Sequence, residues 1–440
     1  MSTPLAPSVP RSGSAAALAW PAALALAAAM GIGRFAFTPV WPSMAQEAGL
    51  SLAQGGWLAS ANYAGYLLGA LAAVVWPVRR LRATLAASLL AVALLTLAMP
   101  LWHGMAAWCA LRLAAGYASA SAFICVAAWR PVPAGDPREA GASAIAYAGV
   151  GAGIALTGLA CLALAAQGAR ADIQWIALGG MALALSAAAW TGLRRHAAPA
   201  PPGAAAPAAA VPTAAASAAA ASAAAASAAA APAADLPSGV FKLALHYGVF
   251  GVGYIIPATF LPAMAKDVIP DPAVFGWAWP LFGLAAAASC LLVPRLGRGR
   301  GDRQVWRGAQ ALMALGMLAV AIWHHIAAVI LAALLVGGTF MVITQAGMLA
   351  ARRGAGPAAP RAAAIMTAAF AAGQILGPLL ASWAARWGAG LPQVLAGSAA
   401  LLAFSAWRLG KITTDDRGAG HNAIGPQGCS TRKQKEEFPA

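Results

Sequence analysis

The sequence predicts an all-α integral membrane protein of twelve helices, and three observations support this fold class. Of the 440 residues, 61% are apolar and 9% are charged, whereas soluble domains contain roughly 25% charged residues. The mean hydropathy is +0.72. A repeat at an offset of 220 residues divides the chain into two related halves. A soluble enzyme is excluded, and so is a membrane β-barrel, because segments of about 10 residues with alternating hydrophobicity are missing from the sequence.

Twelve apolar runs bounded by charge, proline or glycine are candidate spans, because about 20 apolar residues cross a bilayer as a helix. They cover approximately residues 17–41, 57–76, 83–101, 105–129, 141–165, 173–193, 241–262, 276–294, 308–324, 326–350, 362–385 and 391–408. One further run, Ala214–Ala231, is nearly all alanine and is bracketed by prolines. A thirteenth crossing there would reverse the side of every later basic loop, so this run is assigned to a flexible linker.

The distribution of basic residues predicts the orientation of the chain. Of the 28 Lys and Arg residues, 23 lie in the tails and even-numbered loops, three lie in odd-numbered loops, and Arg34 and Arg112 lie inside spans. Such a bias places both termini in the cytoplasm, and the net charge of +16 follows from this topology rather than from a nucleic-acid partner. The predicted domains are an N-terminal tail (1–16), two six-helix bundles (17–193 and 241–408), the linker between them (194–240) and a C-terminal tail (409–440).

The repeat relates the first helices of the two bundles residue by residue. Gly31-Ile-Gly33 corresponds to Gly251-Val-Gly253, and Gly56-Trp57 corresponds to Gly276-Trp277. The chain thus consists of six spans, a cytoplasmic linker and six more spans of the same topology. This is the parallel-repeat architecture of secondary transporters.

Two segments carry a resemblance to a known family: GIGRFAFTPVWPSM, which begins at Gly31, and GWLASANYAGYLLGAL, which begins at Gly56. They resemble the YbfB/YjiJ-type branch of the major facilitator superfamily of transporters, and the resemblance extends over all twelve spans. It implies the major facilitator fold, in which two six-helix bundles enclose a central cavity and expose it alternately to either side of the membrane.

Other motifs match the superfamily only in part. LRLAAGYASA resembles the R-x-x-x-G motif of the fourth span, carried by Arg112 and Gly116, which the resemblance associates with proton coupling. The loop WPVRRLRAT keeps Arg79 and Arg80 of the usual gating motif but lacks its acidic residue. The fifth span has glycine spacing without the Gly-Pro that is typical of antiporters, which disfavours drug/proton antiport.

Arg34 and Arg112 are the leading substrate-binding candidates. A charge inside a span costs about 2.5–3.5 kcal/mol on insertion scales, so each should face a partner or a wet cavity. Both are predicted at a similar depth, and guanidinium groups bind carboxylate or phosphate well. Because no Asp or Glu falls inside a predicted span, we expect an anionic solute. Pairing of Arg34 with backbone carbonyls, and a coupling or folding role for Arg112, remain open alternatives.

Further polar residues could complete the site. Tyr254 corresponds to Arg34 in the repeat, and the other proposed substrate contacts are Asn62, Tyr66, Tyr147, Gln345 and Gln374. His246 joins Arg112 as a proton-coupling candidate. The gating candidates are Arg79, Arg80, Arg300, Asp302, Glu47 and Asp267. Each of these residues also fits a simpler role in helix packing or as a solvated loop charge.

The sequence thus predicts a monomeric secondary active transporter that moves a small organic solute across the bacterial inner membrane, with an anion such as a carboxylate preferred. Membrane lipids and the solute are the expected partners, proton coupling is left open, and no cofactor or metal is expected. Multidrug or metabolite efflux is the main alternative, and a transporter-derived sensor is a weaker one. A membrane-embedded enzyme is disfavoured because the spans lack a His, Asp or Glu constellation.

Overall fold

The computed structural model describes residues 14–76, 78–129, 132, 136–195, 237–268, 276–323 and 325–411. Most of the predicted linker (196–236), both predicted tails except residues 14–16 and 409–411, and the side chain of Asp267 lie outside the described residues. The chain divides into two compact units, Met1–Gly410 and Lys411–Ala440, and the first of them carries the helices.

Within the described ranges the chain forms twelve helical rods, which confirms the predicted fold class. They are α1 (Ala15–Ala48), α2 (Leu52–Val75), α3 (Leu81–Ala98), α4 (Met105–Ala128), α5 (Glu139–Ala166), α6 (Ala171–Arg195), α7 (Ser238–Val268), α8 (Ala278–Leu296), α9 (Asp302–Ile322), α10 (Ile326–Ala355), α11 (Ala359–Arg386) and α12 (Leu391–Leu409).

Ten stretches of the described residues are long and apolar enough to cross a membrane. One of them, Ile326–Ala381, contains α10 and most of α11. Among the described helices, α12 alone falls outside these stretches, because Pro392, Gln393 and Arg408 lower its hydropathy.

Several predicted span ends differ from the helix ends, and some acidic residues assigned to loops prove to be helical. Glu47, expected in a loop after the first span, lies in the last turn of α1. Asp302, expected six residues before the ninth span, is the first residue of α9. A carboxylate in the first turn is stabilised by the partial positive charge of the helix N-terminus, so Asp302 belongs to its helix although it adds no hydropathy.

The first helix is interrupted near its middle. An α-helical segment, Ala15–Leu26, passes into a π-helical turn, Ala27–Ile32, and α-helix resumes at Phe37–Ala48. The local sequence explains this, because glycine weakens a helix and proline cannot donate the backbone hydrogen bond that continues it. Gly31 and Gly33 lie in and just after the π-turn, and Pro39 and Pro42 follow in the resumed helix. Arg34 therefore lies on non-helical backbone at mid-span.

The repeat seen in the sequence reappears in the packing. In each half the first helix packs against the fifth and sixth, the second packs against the fourth, and the third packs against the fourth and sixth. Between the halves, α2 packs against α11 and α5 packs against α8. Because these two contacts exchange equivalent helices, the halves are related by an approximate two-fold axis that passes between them.

Glycines at helix crossings allow this close packing. A Cβ on Gly31 would lie 2.5 Å from the Gly153 Cα, where α1 crosses α5. A Cβ on its repeat equivalent, Gly251, would collide with the Phe370 carbonyl, where α7 crosses α11. Small residues at crossings let helix backbones approach in a bilayer, and the glycines at these two crossings have this role.

We expect Gly149→Ala to destabilise the fold by about 1–3 kcal/mol, the usual cost of overpacking. Its Cβ would collide with the Ala23 carbonyl of α1, which is backbone and cannot turn aside. Gly180→Ala in α6 is the matched control, because its Cβ meets nothing within 4 Å. Denaturant titration of the detergent-purified variants measures the difference, and equal stability of the two would contradict the packing described here.

Candidate functional site

A closed cavity of about 20 Å³ lies between the two halves. Its twelve lining residues come from α1, α2 and α4 of the first half and from α7, α10 and α11 of the second. A space of this volume accommodates about one water molecule. The halves are therefore closed around the centre, and a solute can enter only after they separate at one end.

Arg34 provides the charge at this cavity. Its side chain is 3% exposed, and its Nη2 donates a hydrogen bond to Oε1 of Gln374 on α11, across the interface between the halves. Its Cζ lies 3.9 Å from the ring centroid of Tyr66 and 5.8 Å from that of Phe370. Among the described residues, Nε and Nη1 have no hydrogen-bond partner. The site thus holds a buried cation with unused donors.

Arg112 lies beside Arg34, at the shared depth that the sequence predicts, but it faces the backbone of α1. Its Nη1 and Nη2 donate to the carbonyls of Gly33 and Arg34 at 3.4 and 3.2 Å. Asn62 donates to the carbonyls of Gly33 and Arg112 at 3.4 and 3.0 Å. The donors to Gly33 and Arg34 satisfy carbonyls that the interruption of α1 leaves free. The geometry indicates that Arg112 and Asn62 position Arg34, and a substrate contact of either residue stays a prediction.

The other predicted substrate contacts divide between the cavity and its surroundings. Tyr66 and Tyr254 line the cavity, and Gln374 reaches it through its bond to Arg34. Tyr147 lines a different small cavity, close to Glu139 and Arg352. Gln345 is buried in α10 without being among the lining residues.

His246, the second proton-coupling candidate, lies away from the cavity. Its Nδ1 is 2.8 Å from the Ser405 hydroxyl, which joins α7 to α12. This contact lies inside the second half and is absent from the cavity lining. The geometry therefore gives His246 a helix-packing contact, and a role in proton transfer stays a prediction.

Sequence reasoning missed most of the aromatic lining. Seven of the twelve lining residues are aromatic: Phe35, Tyr66, Phe123, Tyr247, Tyr254, Phe340 and Phe370. A signal for them exists, because Tyr247 and Tyr254, or Phe370 and Gln374, are spaced to share one helix face. In addition, these rings lie at mid-span, away from the membrane interface where aromatic residues usually gather.

The end of the molecule that carries the α4–α5, α8–α9 and α10–α11 loops, here called the basic end, is closed by ion pairs between the halves. Glu139 of α5 pairs with Arg352 of α10 at 2.5 Å and with Arg353 at 3.4 Å. Arg353 also pairs with Asp302 at 2.7 Å, and Arg352 donates to the Trp129 carbonyl at 3.2 Å. The Glu139 and Arg352 side chains are 9% and 11% exposed, so the pair is largely removed from water.

Of the predicted gating residues, Asp302 belongs to this network, whereas Glu139, Arg352 and Arg353 were missed. The arginines expected to form the gate, Arg79 and Arg80, are exposed, and no ion pair to them occurs among the described residues. Arg300 is exposed as well. The missing acidic residue of the α2–α3 loop, noted in the sequence, is consistent with this arrangement.

Aromatic contacts close the opposite end. Phe35 of α1 lies 6.3 Å from Trp279 of α8 and 6.4 Å from Phe340 of α10, measured between ring centroids. Glu47, a predicted gating residue, contacts the start of α6 within the first half, and its role in gating stays a prediction. It pairs with Arg170 at 3.6 Å and accepts the Ala171 backbone N–H at 2.8 Å.

No cluster of His, Cys, Asp and Glu able to hold a metal ion occurs among the described residues. The cavity is suited to binding a solute: it has one buried positive charge, two guanidinium nitrogens without a hydrogen-bond partner among the described residues, and a lining rich in aromatic rings. Two repeated six-helix bundles closed around such a site define a membrane transporter of small solutes.

The chain belongs to the family described as uncharacterised MFS-type transporter YbfB, which matches residues 26–219 and 203–408. Its fold is similar to the crystal structure of the human organic anion transporter MFSD10 (TETRAN), with a TM-score of 0.65 and 16% sequence identity. That similarity covers 91% of this chain and 100% of the human one. No curated protein matches the chain in sequence.

We expect Glu139→Gln to open the basic end, because a buried ion pair that loses one partner leaves an uncompensated charge. A cysteine introduced at Ser143, which lines the cavity beside Glu139, reports on opening through its rate of alkylation by a water-soluble maleimide. The rate should rise at least about tenfold.

Glu47→Gln at the opposite end is the matched control for this experiment, since its ion pair lies within one half. The parent protein without the added cysteine gives the background from native thiols. An unchanged rate in Glu139→Gln, or an equal rise in Glu47→Gln, would show that the Glu139 pair does not hold the halves together.

Proposed function

We propose that this transporter carries a small organic anion, by preference a carboxylate, across the bacterial inner membrane by alternate opening of its two ends. The observation that supports this most is Arg34, a buried guanidinium that lines the central cavity with two nitrogens free of hydrogen bonds. Its direct partner is the neutral amide of Gln374.

The described residues that line the cavity do not neutralise the charge of Arg34. The residues lining the cavity include no Asp or Glu within the described part of the chain, and the neighbouring Arg112 adds a second positive charge. Desolvation of a charge without a counter-ion is expensive. A bound carboxylate would supply that counter-ion and would accept the open N–H groups, and charge-assisted hydrogen bonds of this type are among the stronger ones in proteins.

The orientation follows from the distribution of basic residues. The positive-inside rule assigns the basic end to the cytoplasm, so both termini are cytoplasmic. The Glu139–Arg352 pair then closes the cytoplasmic side, and the contact of Phe35 with Trp279 closes the other side. Because both ends are closed, the structure corresponds to an occluded step of transport.

A second candidate function is efflux of hydrophobic cations, and the aromatic lining favours it. Cations bind to the faces of aromatic rings, and seven rings surround the cavity. Arg34 argues against this candidate, because its charge already occupies the Tyr66 face and would repel another cation. The fold similarity to an organic anion transporter agrees with the anionic choice.

Gln374→Glu tests the sign of the solute charge. The substitution is nearly isosteric and places a carboxylate beside Arg34, where it competes with any anionic solute. Binding of benzoate and lactate to the purified protein, measured by thermal stabilisation, should weaken at least about tenfold relative to the parent. Arg34→Gln should have the same effect through loss of the charge.

Gln167→Glu is the matched control, because Gln167 is exposed at the end of α5, outside the cavity lining. Variants are compared only where the melting temperature without ligand shows a folded protein. Unchanged anion binding in Gln374→Glu would refute the proposal. Binding of tetraphenylphosphonium that strengthens in Gln374→Glu, without anion binding by the parent, would favour cation efflux.

A further inference from the structure

The cavity lining is far richer in aromatic residues than the chain as a whole. Aromatic residues make up 8% of the sequence, yet they supply seven of twelve lining positions. The remaining lining residues are two methionines, two threonines and Arg34. Alanine, leucine, isoleucine and valine, which together make up most of the residues in the spans, are not among them. Aliphatic side chains alone could line a site for an aliphatic solute, so the rings indicate a different kind of solute.

The rings stand on both sides of the interface between the halves. Tyr66 and Phe123 belong to the first half, and Tyr254, Phe340 and Phe370 belong to the second. Tyr254 and Phe340 are stacked, with centroids 5.1 Å apart and planes at 19°, and Phe370 is inclined to Tyr254 by 32° at 6.1 Å. Ring pairs favour offset-stacked or edge-on contacts at such distances. A flat aromatic solute could make the same contacts with both halves when they separate.

Charge in the cavity limits the solute to one negative group. Arg34 is the single Lys, Arg or His among the lining residues, because the neighbouring Arg112 is turned toward the carbonyls of Gly33 and Arg34. A second carboxylate on the solute would therefore be buried without a cationic partner, and an ammonium group would find no carboxylate. Buried charges are tolerated only when they are paired. Both a dianion and a zwitterionic amino acid are disfavoured on this ground.

The threonine hydroxyl groups of the lining add little polar capacity. Thr344 and Thr367 each donate to a backbone carbonyl of their own helix, at 2.9 and 2.7 Å. The part of the solute that lies away from Arg34 therefore meets rings and methionine side chains, with the tyrosine hydroxyl groups as the remaining polar contacts, so this part should be largely apolar.

We propose that the solute is an aromatic monocarboxylate, whose carboxylate binds Arg34 and whose ring packs between Tyr66 and Phe123 on one side and Tyr254, Phe340 and Phe370 on the other. This inference rests on the proposed function, since it takes the anion-binding role of Arg34 as given and specifies the rest of the molecule.

Matched pairs of ligands test this proposal on the detergent-purified full chain. Benzoate is compared with cyclohexanecarboxylate, and 2-naphthoate with its fully saturated analogue, so that charge and approximate size are kept while aromaticity is removed. Dissociation constants come from isothermal titration calorimetry. The aromatic member of at least one pair should bind about tenfold more tightly. Phthalate and phenylalanine, which carry a second carboxylate and an ammonium group, should bind more weakly than benzoate.

Two variants test whether the preference for an aromatic carboxylate arises in the cavity. Phe370→Leu removes one lining ring and keeps an apolar side chain, so it should reduce the preference for the aromatic member several-fold. Phe404→Leu is the control, because Phe404 is 60% exposed on α12, outside the cavity lining. Both variants are first checked for an unchanged melting temperature without ligand.

The possible results of these binding experiments distinguish the aromatic inference from the proposed anion transport. Equal affinity for aromatic and saturated carboxylates, both lost in Arg34→Gln, would overturn the aromatic inference and leave anion transport standing. Tighter binding of phthalate than of benzoate would overturn the limit to one charge. Failure of every carboxylate to bind the folded parent protein would overturn the proposed function itself.

Discussion

Burial of the Arg34 charge without a carboxylate beside it, among the described residues, is the constraint on which the centre of the molecule depends. The guanidinium is stabilised by the Tyr66 ring face and by the Gln374 amide, neither of which neutralises it. Its backbone needs help as well, because the interrupted α1 leaves carbonyls that Arg112 and Asn62 must satisfy. A transporter needs such incomplete neutralisation, since a charge that is already paired has little to offer a solute.

Much of the fold could be predicted from the sequence because the bilayer imposes it. Apolar runs of fixed length, the repeat and the charge bias each reflect one physical requirement, and all twelve helices follow from them. The site could be predicted only in part. Arg34 stands out since a charge in a span is rare, whereas Phe340 and Phe370 look like ordinary apolar residues until the packing shows which face they turn to the cavity. The Glu139–Arg352 pair joins positions 213 residues apart, and no spacing rule connects them.

The two closures differ in physical kind, so substitutions affect them differently. Breaking a buried ion pair by removal of one partner costs about 3–5 kcal/mol, while an aromatic pair contributes about 0.5–1.5 kcal/mol beyond the area it buries. The basic end is held by the Glu139–Arg352 pair and its neighbours, and the opposite end by the contacts of Phe35. Opening of the basic end therefore exposes charged groups to water, whereas opening of the opposite end exposes ring surface.

The interruption of α1 places Arg34 and Phe35 next to each other on one short stretch of non-helical backbone. Arg34 holds Gln374, and Phe35 covers the cavity by contact with Trp279 and Phe340. Two adjacent residues therefore carry the proposed binding group for a solute and the ring that covers the cavity. Movement of this backbone segment would displace both side chains together, so under the proposed function entry of water and loosening of the bound anion would be coupled. Binding and release of the solute would then be coupled to opening of this end directly through the backbone of α1.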